Sequence, residues 1–224
     1  EINHYRKVLS ALRERNIEPF VTLWHWTDPV WFEKKGGWLN DKAVKHFSGY
    51  VEKIVKSLGS QINFWVVINE PNVYTKLAYL DGSQPPAHKS LLKFLKVYFN
   101  LLSAYKKSYA IIHSLDKNAQ VGYAHSFVCY RSKIWKPIDK IIVAVVNFFS
   151  NYFDQKTLGF KDFIGCNYYS IYTISTKKAL MLENKRTDLN WEIYPEGIFQ
   201  IIENLKKQKL PIYITENGIA DADD

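Results

Sequence analysis

Five apolar runs rich in β-branched and aromatic residues, separated by helical patterns, constrain the fold of this chain most strongly. They begin near residues 20, 64, 121, 163 and 212, about 48 residues apart. Strands that alternate with helices predict βα units and a parallel sheet in an α/β protein. Eight such units, a (β/α)8 TIM barrel, would need about 384 residues at this spacing. We therefore predict that residues 1–224 form a single partial barrel domain of about five units.

Charge and hydropathy exclude two classes of partner. Lys and Arg number 30 against 22 Asp and Glu, but they are scattered over helix faces, which indicates a solvated basic surface rather than a nucleic-acid site. The most hydrophobic stretch, residues 141–149, is shorter than the ~20 residues needed to span a bilayer. No signal peptide is recognisable, so we expect no membrane association and a cytoplasmic location. The sequence leaves the oligomeric state open.

Metal and cofactor sites have no recognisable motif. Cys129 and Cys166 are widely spaced, which predicts neither a disulfide framework nor a zinc cluster. The six histidines form no His-x-His or His-Glu-x-x-His pair. No glycine-rich phosphate-binding loop follows a strand. We expect the protein to use no metal and no organic cofactor.

Two glutamates follow predicted strands. Glu70 comes after the run 63–68, and Glu216 after the run 210–214. The carboxyl ends of parallel strands meet at one edge of a sheet, where ligand sites of α/β folds collect. A facing pair of carboxyl groups is what cleavage of a glycosidic bond requires. Solvated glutamates that cap the strands would fit the same pattern, and the two motifs alone do not separate these interpretations.

Aromatic and polar side chains end two other strands. Trp24, His25 and Trp26 close the first predicted strand, and aromatic faces with an imidazole suit sugar recognition. A core aromatic cluster with a hydrogen-bonded histidine fits equally well. Asn167 and Tyr169 end the fourth strand and share one face by two-residue alternation.

Taken together, these residues resemble those of glycoside hydrolase family 1, a family of retaining β-glucosidases and β-galactosidases on a (β/α)8 barrel. The resemblance covers nearly the whole chain. It is carried by segments in the family order: 17–26 with Leu-Trp-His-Trp, 36–40 with Gly-Gly-Trp-Leu-Asn, 69–71 with Asn-Glu-Pro, 163–169 with Phe-Ile-Gly-Cys-Asn-Tyr-Tyr, 191–197 with Trp-Glu-Ile-Tyr-Pro-Glu-Gly, and 211–218 with Pro-Ile-Tyr-Ile-Thr-Glu-Asn-Gly.

The resemblance implies a retaining β-glycosidase that hydrolyses β-linked glucosides or galactosides as small-molecule substrates. It implies Glu70 as the general acid/base and Glu216 as the nucleophile. It also implies five substrate-binding or supporting residues: His25 at the sugar 3-hydroxyl, Trp26 beside it, Asn69 at the 2-hydroxyl, Tyr169 bonded to the nucleophile, and Asn167 on the same wall.

The chain also departs from the family pattern. Asn72 stands where many relatives have a tryptophan, which leaves the leaving-group preference open. The resemblance covers only the third to seventh strands, and a barrel closes by pairing its first strand with its last. We therefore expect 224 residues alone to be poorly stable, because two sheet edges would be unpaired. Two other activities remain open: a truncated, non-catalytic carbohydrate-binding remnant, and transglycosylation through the same intermediate.

Overall fold

The computed structural model describes residues 1–132, 137–174 and 185–222. The chain divides into two compact units. Unit 1 comprises Glu1–Ala124 with Phe160–Ile164, and unit 2 comprises His125–Gly159 with Gly165–Asp224. Two strands cross the boundary between the units along the chain. The five strands form one sheet in which hydrogen-bonded neighbours follow the order of the chain.

Unit 1 alternates strands and helices as predicted. Its elements are α1 (Ile2–Arg13), β1 (Phe20–Thr22), α2 (Val30–Lys34), a 3-10 turn (Gly37–Leu39), α3 (Ala43–Leu58), a second 3-10 turn (Gly59–Gln61), β2 (Phe64–Asn69), α4 (Pro71–Thr75), a π-helical segment (Lys76–Asp81), α5 (Leu91–Leu115) and the first part of β3 (Gln120–Ser132).

The strands of unit 1 run parallel, which confirms the βα prediction. Phe20 of β1 is in register with Phe64 of β2, and Trp65 of β2 is in register with Val121 of β3. Aromatic rings fill the space at the amino ends of these strands. The Phe20 and Phe64 rings stack at 4.3 Å, and Phe163 meets the Phe20 ring edge-on at 5.8 Å. Such ring pairs add stabilisation to the apolar burial itself.

Close packing of this aromatic layer explains one glycine. A Cβ atom added to Gly122 of β3 would lie 2.6 Å from the Phe163 ring. The ring occupies the volume of the missing side chain, and Phe163 is itself fully buried. Any larger residue at position 122 would therefore displace Phe163 from the layer.

Two helices of unit 1 pack against each other, and α5 also packs against β2. The apolar positions of α3 recur at helical spacing, and Val51 is fully buried where α3 packs against α5. Ser90 caps α5, because its hydroxyl accepts a hydrogen bond from the Lys93 N–H. The Asn40 carboxamide oxygen accepts the Lys42 N–H in the turn before α3, and α3 begins at Ala43.

Unit 2 contains the remaining elements. They are the second part of β3, α6 (Pro137–Asn147), a π-helical segment (Phe148–Tyr152), α7 (Phe153–Leu158), β4 (Ile164–Ile174, from Gly165 onward in this unit), α8 (Glu196–Leu205), a 3-10 turn (Lys206–Gln208) and β5 (Ile212–Asn217). The long polar loop predicted for residues 175–190 lies partly outside the described residues. In its described part, Arg186 forms an isolated bridge with Glu192, and Glu192 also bridges to Ile171.

Two polar side chains buried in unit 2, His125 and Asn151, are paired with neighbouring groups. His125 of β3 is fully buried, with Nδ1 2.8 Å from Oδ2 of Asp154 and Nε2 2.9 Å from the Ser150 carbonyl oxygen. The Asn151 carboxamide bonds both the N–H and the carbonyl group of Val128. These contacts allow β3 to continue through polar residues, because a buried polar group costs little when it is hydrogen-bonded.

Among the helices within residues 1–132, 137–174 and 185–222, none is both long enough and apolar enough to cross a membrane.

Candidate active site

The turn after β1 holds two predicted site residues in unit 1. The Leu23 N–H donates to the Val66 carbonyl oxygen over 2.8 Å, and the Asn69 N–H donates to the Trp24 carbonyl oxygen over 3.0 Å. The chain then turns sharply, with Trp26 in the left-handed region at φ 68°. A non-glycine residue there costs about 1 kcal/mol or more, and the indole N–H of Trp26 donates to the Asn69 carbonyl oxygen over 3.0 Å.

Asn69 is the centre of this arrangement. Its side chain is buried, and its Nδ2 lies 3.3 Å from Nε2 of His25. The His25 side chain is exposed, so its ring reaches solvent from a backbone that is fixed on both sides. The structure thus brings His25, Trp26 and Asn69 together.

Glu70 follows Asn69 directly and has an unusual backbone. It adopts φ 45°, ψ 58°, and its side chain is buried, with 7% of the residue surface exposed. Its N–H donates to the Ala124 carbonyl oxygen over 2.8 Å, and its carbonyl oxygen accepts the Tyr74 N–H over 3.1 Å. Pro71 then starts α4 at a position where a missing N–H costs nothing. The strained residue is thereby held between β3 and the first turn of α4.

Glu216 lies in unit 2 and is held by Tyr169. The Tyr169 hydroxyl group donates a hydrogen bond of 2.8 Å to Oε2 of Glu216. The other carboxylate oxygen, Oε1, has no hydrogen bond to any residue within the described ranges. Glu216 is partly exposed. The sequence places Glu216 just past its strand, whereas the structure places it inside β5, one residue from the end.

Side chains of β4 and β5 are paired across the two strands. The Thr215 hydroxyl group donates to Oδ1 of Asn167 over 2.5 Å, and Nδ2 of Asn217 donates to the Tyr168 carbonyl oxygen over 2.6 Å. Asn167 is fully buried. These bonds fix the side chain of Asn167 and the residues on either side of Glu216. The Glu216 carboxylate therefore has a rigid support.

Sequence reasoning did not assign a role to one aromatic residue of this region. The Trp191 indole lies 5.9 Å from the Tyr169 ring, tilted by 58°, and is about one-third exposed. Its neighbour Glu192 is buried and paired with Arg131. One signal in the sequence could have indicated a role for Trp191. It precedes Glu192, a charged residue that would otherwise be solvated, in a segment that resembles the family.

Metal ligands were sought in the same regions. Within residues 1–132, 137–174 and 185–222, no group of three or more His, Cys, Asp or Glu side chains could hold a metal ion. The chemistry available from the described site residues is that of carboxyl, phenol, imidazole and amide groups.

Parallel βα units with polar residues at their strand ends are typical of barrel-type α/β folds. The family model of glycosyl hydrolase family 1 matches residues 1–153 and 140–224. The chain therefore belongs to glycosyl hydrolase family 1, and its fold is part of a (β/α)8 barrel.

Individual relatives agree with this assignment. The chain is 27% identical to a 1,4-beta-D-glucan glucohydrolase of Thermotoga neapolitana, over 98% of this chain and 61% of the relative. It is 28% identical to a galactolipid galactosyltransferase of Arabidopsis thaliana, over 100% of this chain and 38% of the relative. Among solved structures, a beta-glycosidase from Pyrococcus horikoshii matches with a TM-score of 0.91 and 30% identity, over 100% of this chain and 58% of that structure. The chain thus spans about three-fifths or less of these relatives.

Proposed function

We propose that the protein is a retaining β-glycosidase in which Glu216 is the nucleophile and Glu70 the general acid/base. The observation that carries this proposal is the hydrogen bond from Tyr169 to Glu216 in a chain of this family. A nucleophilic carboxylate needs one oxygen held and the other available for attack. The Tyr169 phenol holds Oε2 and leaves Oε1 unbonded within the described residues.

The proposed reaction has two displacement steps. In the first, a Glu216 carboxylate oxygen bonds to the anomeric carbon, the glycosidic C–O bond breaks, and Glu70 gives its proton to the leaving oxygen. In the second, Glu70 accepts a proton from water, the water oxygen bonds to the anomeric carbon, and the ester bond to Glu216 breaks. Two inversions give net retention, and Glu70 regains its proton.

Burial and backbone position support the role of Glu70. A general acid has to deliver its proton to the substrate rather than exchange it with bulk water, and Glu70 is mostly shielded from solvent. Its strained backbone is fixed by hydrogen bonds to Ala124 and Tyr74. Fixed geometry of this kind is a recurrent property of functional positions.

Sugar recognition is proposed for the residues around the β1 turn and on β4. His25 has an exposed imidazole that can bond a hydroxyl group, and Trp26 beside it offers a partly exposed indole face. Asn69 contacts both residues. Asn167 supports the part of β4 next to Tyr169. The substrates that we propose are β-linked glucosides or galactosides, in keeping with the names of the bacterial and archaeal relatives.

Transglycosylation is a second candidate, favoured by one relative. The Arabidopsis protein is named as a galactosyltransferase and matches this chain from end to end. In a transfer reaction a sugar hydroxyl group replaces water in the second step, and the same two glutamates act. Product analysis at high acceptor concentration separates the two outcomes, because transfer yields a longer glycoside instead of free sugar.

The stereochemistry of the product tests the proposal. NMR of the first sugar released from a β-glucoside should show the β-anomer before mutarotation, and Glu216→Gln should lose turnover while remaining folded. Release of the α-anomer, or normal turnover by Glu216→Gln, would contradict the proposal. Sugar binding measured by calorimetry without any turnover would instead favour the carbohydrate-binding remnant. The chain and any longer natural form that contains it should be assayed in parallel.

A further inference from the structure

A buried ion pair in unit 2 takes no part in the proposed reaction. Glu192 follows Trp191 in the chain and is 7% exposed, and its Oε1 accepts a hydrogen bond from an Arg131 guanidinium N–H. A glutamate is seldom buried to this degree unless its charge is paired. Arg131 is the last residue but one of β3. The pair therefore joins the end of β3 to the segment that carries Trp191, residues 185–194.

Arg131 makes two further contacts in other directions. Its Nε–H donates to the Thr173 hydroxyl oxygen on β4 over 3.0 Å. Its guanidinium carbon lies 5.9 Å from the centre of the Tyr194 ring, two residues after Glu192. A planar guanidinium group can donate hydrogen bonds from its edge while its face covers a ring, and an ammonium group cannot replace it in this geometry. Arg131 thus connects β3, β4 and the Trp191 segment.

The main chain around Trp191 is fixed by a tight turn. The Thr187 N–H donates to the Trp191 carbonyl oxygen over 2.9 Å, and the Trp191 N–H donates to the Thr187 hydroxyl oxygen over 3.2 Å. Glu192 then forms an isolated antiparallel bridge with Ile171 of β4. The turn sets the shape of the segment. The bridge and the ion pair with Arg131 set where the segment lies against the strands.

Trp191 connects the ion pair to the proposed nucleophile. Its ring lies 5.9 Å from the Tyr169 ring and is tilted by 58° against it. The Tyr169 hydroxyl group donates to Oε2 of Glu216 over 2.8 Å. The position of a tyrosine hydroxyl group depends on χ1 and χ2, and χ2 of an aromatic residue has a broad range. Packing against the Trp191 indole narrows that range. All of these residues belong to unit 2.

We propose that Arg131 and Glu192 are positioning residues for the nucleophile. Their ion pair holds Trp191 against the Tyr169 ring, and the ring in turn keeps its hydroxyl group on Oε2 of Glu216. Neither member of the pair has to contact the substrate for this effect. The kinetic part of the inference rests on the proposed function, whereas the effect on Trp191 does not.

The position of Trp191 can be observed without turnover. With 5-fluorotryptophan incorporated, the Trp191 ¹⁹F resonance is assigned by its absence in Trp191→Phe. Arg131→Met keeps a long apolar stem but removes every donor, so the Trp191 resonance should shift by more than its line width. Arg15→Met is the matched control, because the exposed Arg15 guanidinium bonds the carbonyl oxygen of Ala11 in unit 1, and it should leave the resonance in place. An unchanged resonance in Arg131→Met would overturn the inference.

A double-mutant cycle with Tyr169→Phe tests the connection between the ion pair and Glu216. In the wild-type background, Arg131→Met should lower kcat about tenfold, with KM within about twofold. In the Tyr169→Phe background the hydroxyl group is already absent, so the same substitution should lower kcat by less than about twofold. A pair that only stabilised the fold would lower kcat by the same factor in both backgrounds. Losses that multiply would therefore overturn the inference.

Two milder variants keep the test decisive if Arg131→Met does not fold. Glu192→Gln keeps an oxygen acceptor but removes the charge, and Thr173→Val removes the acceptor of the Arg131 Nε–H. Each should shift the Trp191 resonance and lower kcat by about threefold, as expected for one weakened hydrogen bond to a charged group. Glu203→Gln, at an exposed position on α8, should do neither. An unchanged Trp191 resonance with wild-type kinetics in both variants would overturn the inference.

Turnover separates this inference from the proposed function. The assays use this chain and any longer natural form that contains it. Absence of turnover in every protein, with the Trp191 shift present in Arg131→Met, would contradict the proposed function and leave the role of the ion pair in holding Trp191 standing. Absence of turnover together with an unchanged Trp191 resonance would overturn both.

Discussion

The hydroxyl group of Tyr169 donates a 2.8 Å hydrogen bond to Oε2 of Glu216, from the strand next to β5. Tyr169 is itself covered on one side by Trp191, and the adjacent Asn167 is bonded to Thr215. The carboxylate is thus held by residues that are themselves fixed. A carboxylate supported in this way is a suitable nucleophile, and each part of the support can be removed separately.

Removal of the Tyr169 hydroxyl group should slow the reaction. Tyr169→Phe keeps the ring against Trp191 but leaves Oε2 of Glu216 without its donor, so we expect kcat to fall by about 100-fold, at the lower end of the range found for loss of one catalytic hydrogen-bond donor. Steady-state kinetics with an aryl β-glucoside measures the effect. Tyr172→Phe is the control, since Tyr172 lies on the same strand and is about half exposed. Equal losses in the two variants would contradict a specific role for Tyr169.

Glu70 should act twice, and an external nucleophile can separate its two roles. Glu70→Ala lacks the base that activates water, so the glycosyl-enzyme from an activated substrate should accumulate. Azide needs no base, and it should restore turnover at least tenfold and give a β-glycosyl azide. Glu52→Ala, at an exposed position on α3, should respond to azide like the wild type. Failure of azide to change the rate of Glu70→Ala would argue against the acid/base assignment.

Two glycines should respond oppositely to the same substitution. A Cβ atom on Gly197 would lie 1.7 Å from the Tyr168 hydroxyl oxygen and 2.9 Å from the Cys129 sulfur. The Tyr168 hydroxyl group is also bonded to the Tyr194 carbonyl oxygen over 2.6 Å, so it cannot move freely. We expect Gly197→Ala to lower the free energy of unfolding by about 2 kcal/mol or more.

Gly49 is the matched position inside α3, where an added Cβ atom would have no neighbour within 4 Å. Gly49→Ala should raise the free energy of unfolding by about 0.5–1 kcal/mol, because alanine restricts the unfolded chain. Urea unfolding of both variants compares them directly. Similar stability changes in the two variants would contradict the packing described around Tyr168.

The Asp28 carboxyl group should make stability depend on pH. Burial raises its pKa from an ordinary value of 3.8 to about 7 in the folded protein, so the folded state binds the proton more tightly. The Asp28 contribution is then most favourable near pH 4, declines as the pH rises towards 7, and is constant above it. Relative to the wild type, Asp28→Asn should gain on the order of 2 kcal/mol between pH 4 and 8, after allowance for solvent screening.

Asp41 provides the opposite sign. Lys96 lowers the pKa of Asp41 through a hydrogen bond and its charge, so that ion pair stabilises the protein above the ordinary Asp pKa and is lost as the pH falls. Asp41→Asn should therefore become less stable relative to the wild type as the pH rises from 2 to 5. Free energies of unfolding across pH for the three proteins test both statements. A stability difference between Asp28→Asn and the wild type that does not vary with pH would contradict a raised pKa of Asp28.

Most of the strands could be predicted from the sequence because their apolar runs are local signals. The run before Glu70 is predicted over residues 63–68, and β2 spans Phe64–Asn69 in the structure. β3 was harder, since the apolar pattern stops at Ala124 while the strand continues to Ser132. His125 continues the strand because Asp154 and Ser150 satisfy its ring, and no local pattern shows contacts made 25 or more residues away.

The candidate site likewise contains contacts that could be predicted from the sequence and contacts that could not. His25, Trp26 and Asn69 could be predicted to meet, because parallel strands deliver their ends to one edge. The hydrogen bond from Tyr169 to Glu216 followed from the family resemblance and not from spacing. The hydrogen bond from Trp24 to Asp28 could not be predicted, because an aspartate before Pro29 has the pattern of an ordinary turn residue.

The central claim is that Glu216 forms a covalent bond to the sugar. The most direct measurement is intact-mass and peptide mapping after incubation with an activated 2-deoxy-2-fluoro-β-glucoside, which forms the glycosyl-enzyme quickly and releases it slowly. We predict one added fluoroglucosyl group, located on Glu216 and absent in Glu216→Gln, in this chain or in a longer natural form that contains it. A label on another residue, or no label in either form while the sugar still binds, would contradict the account.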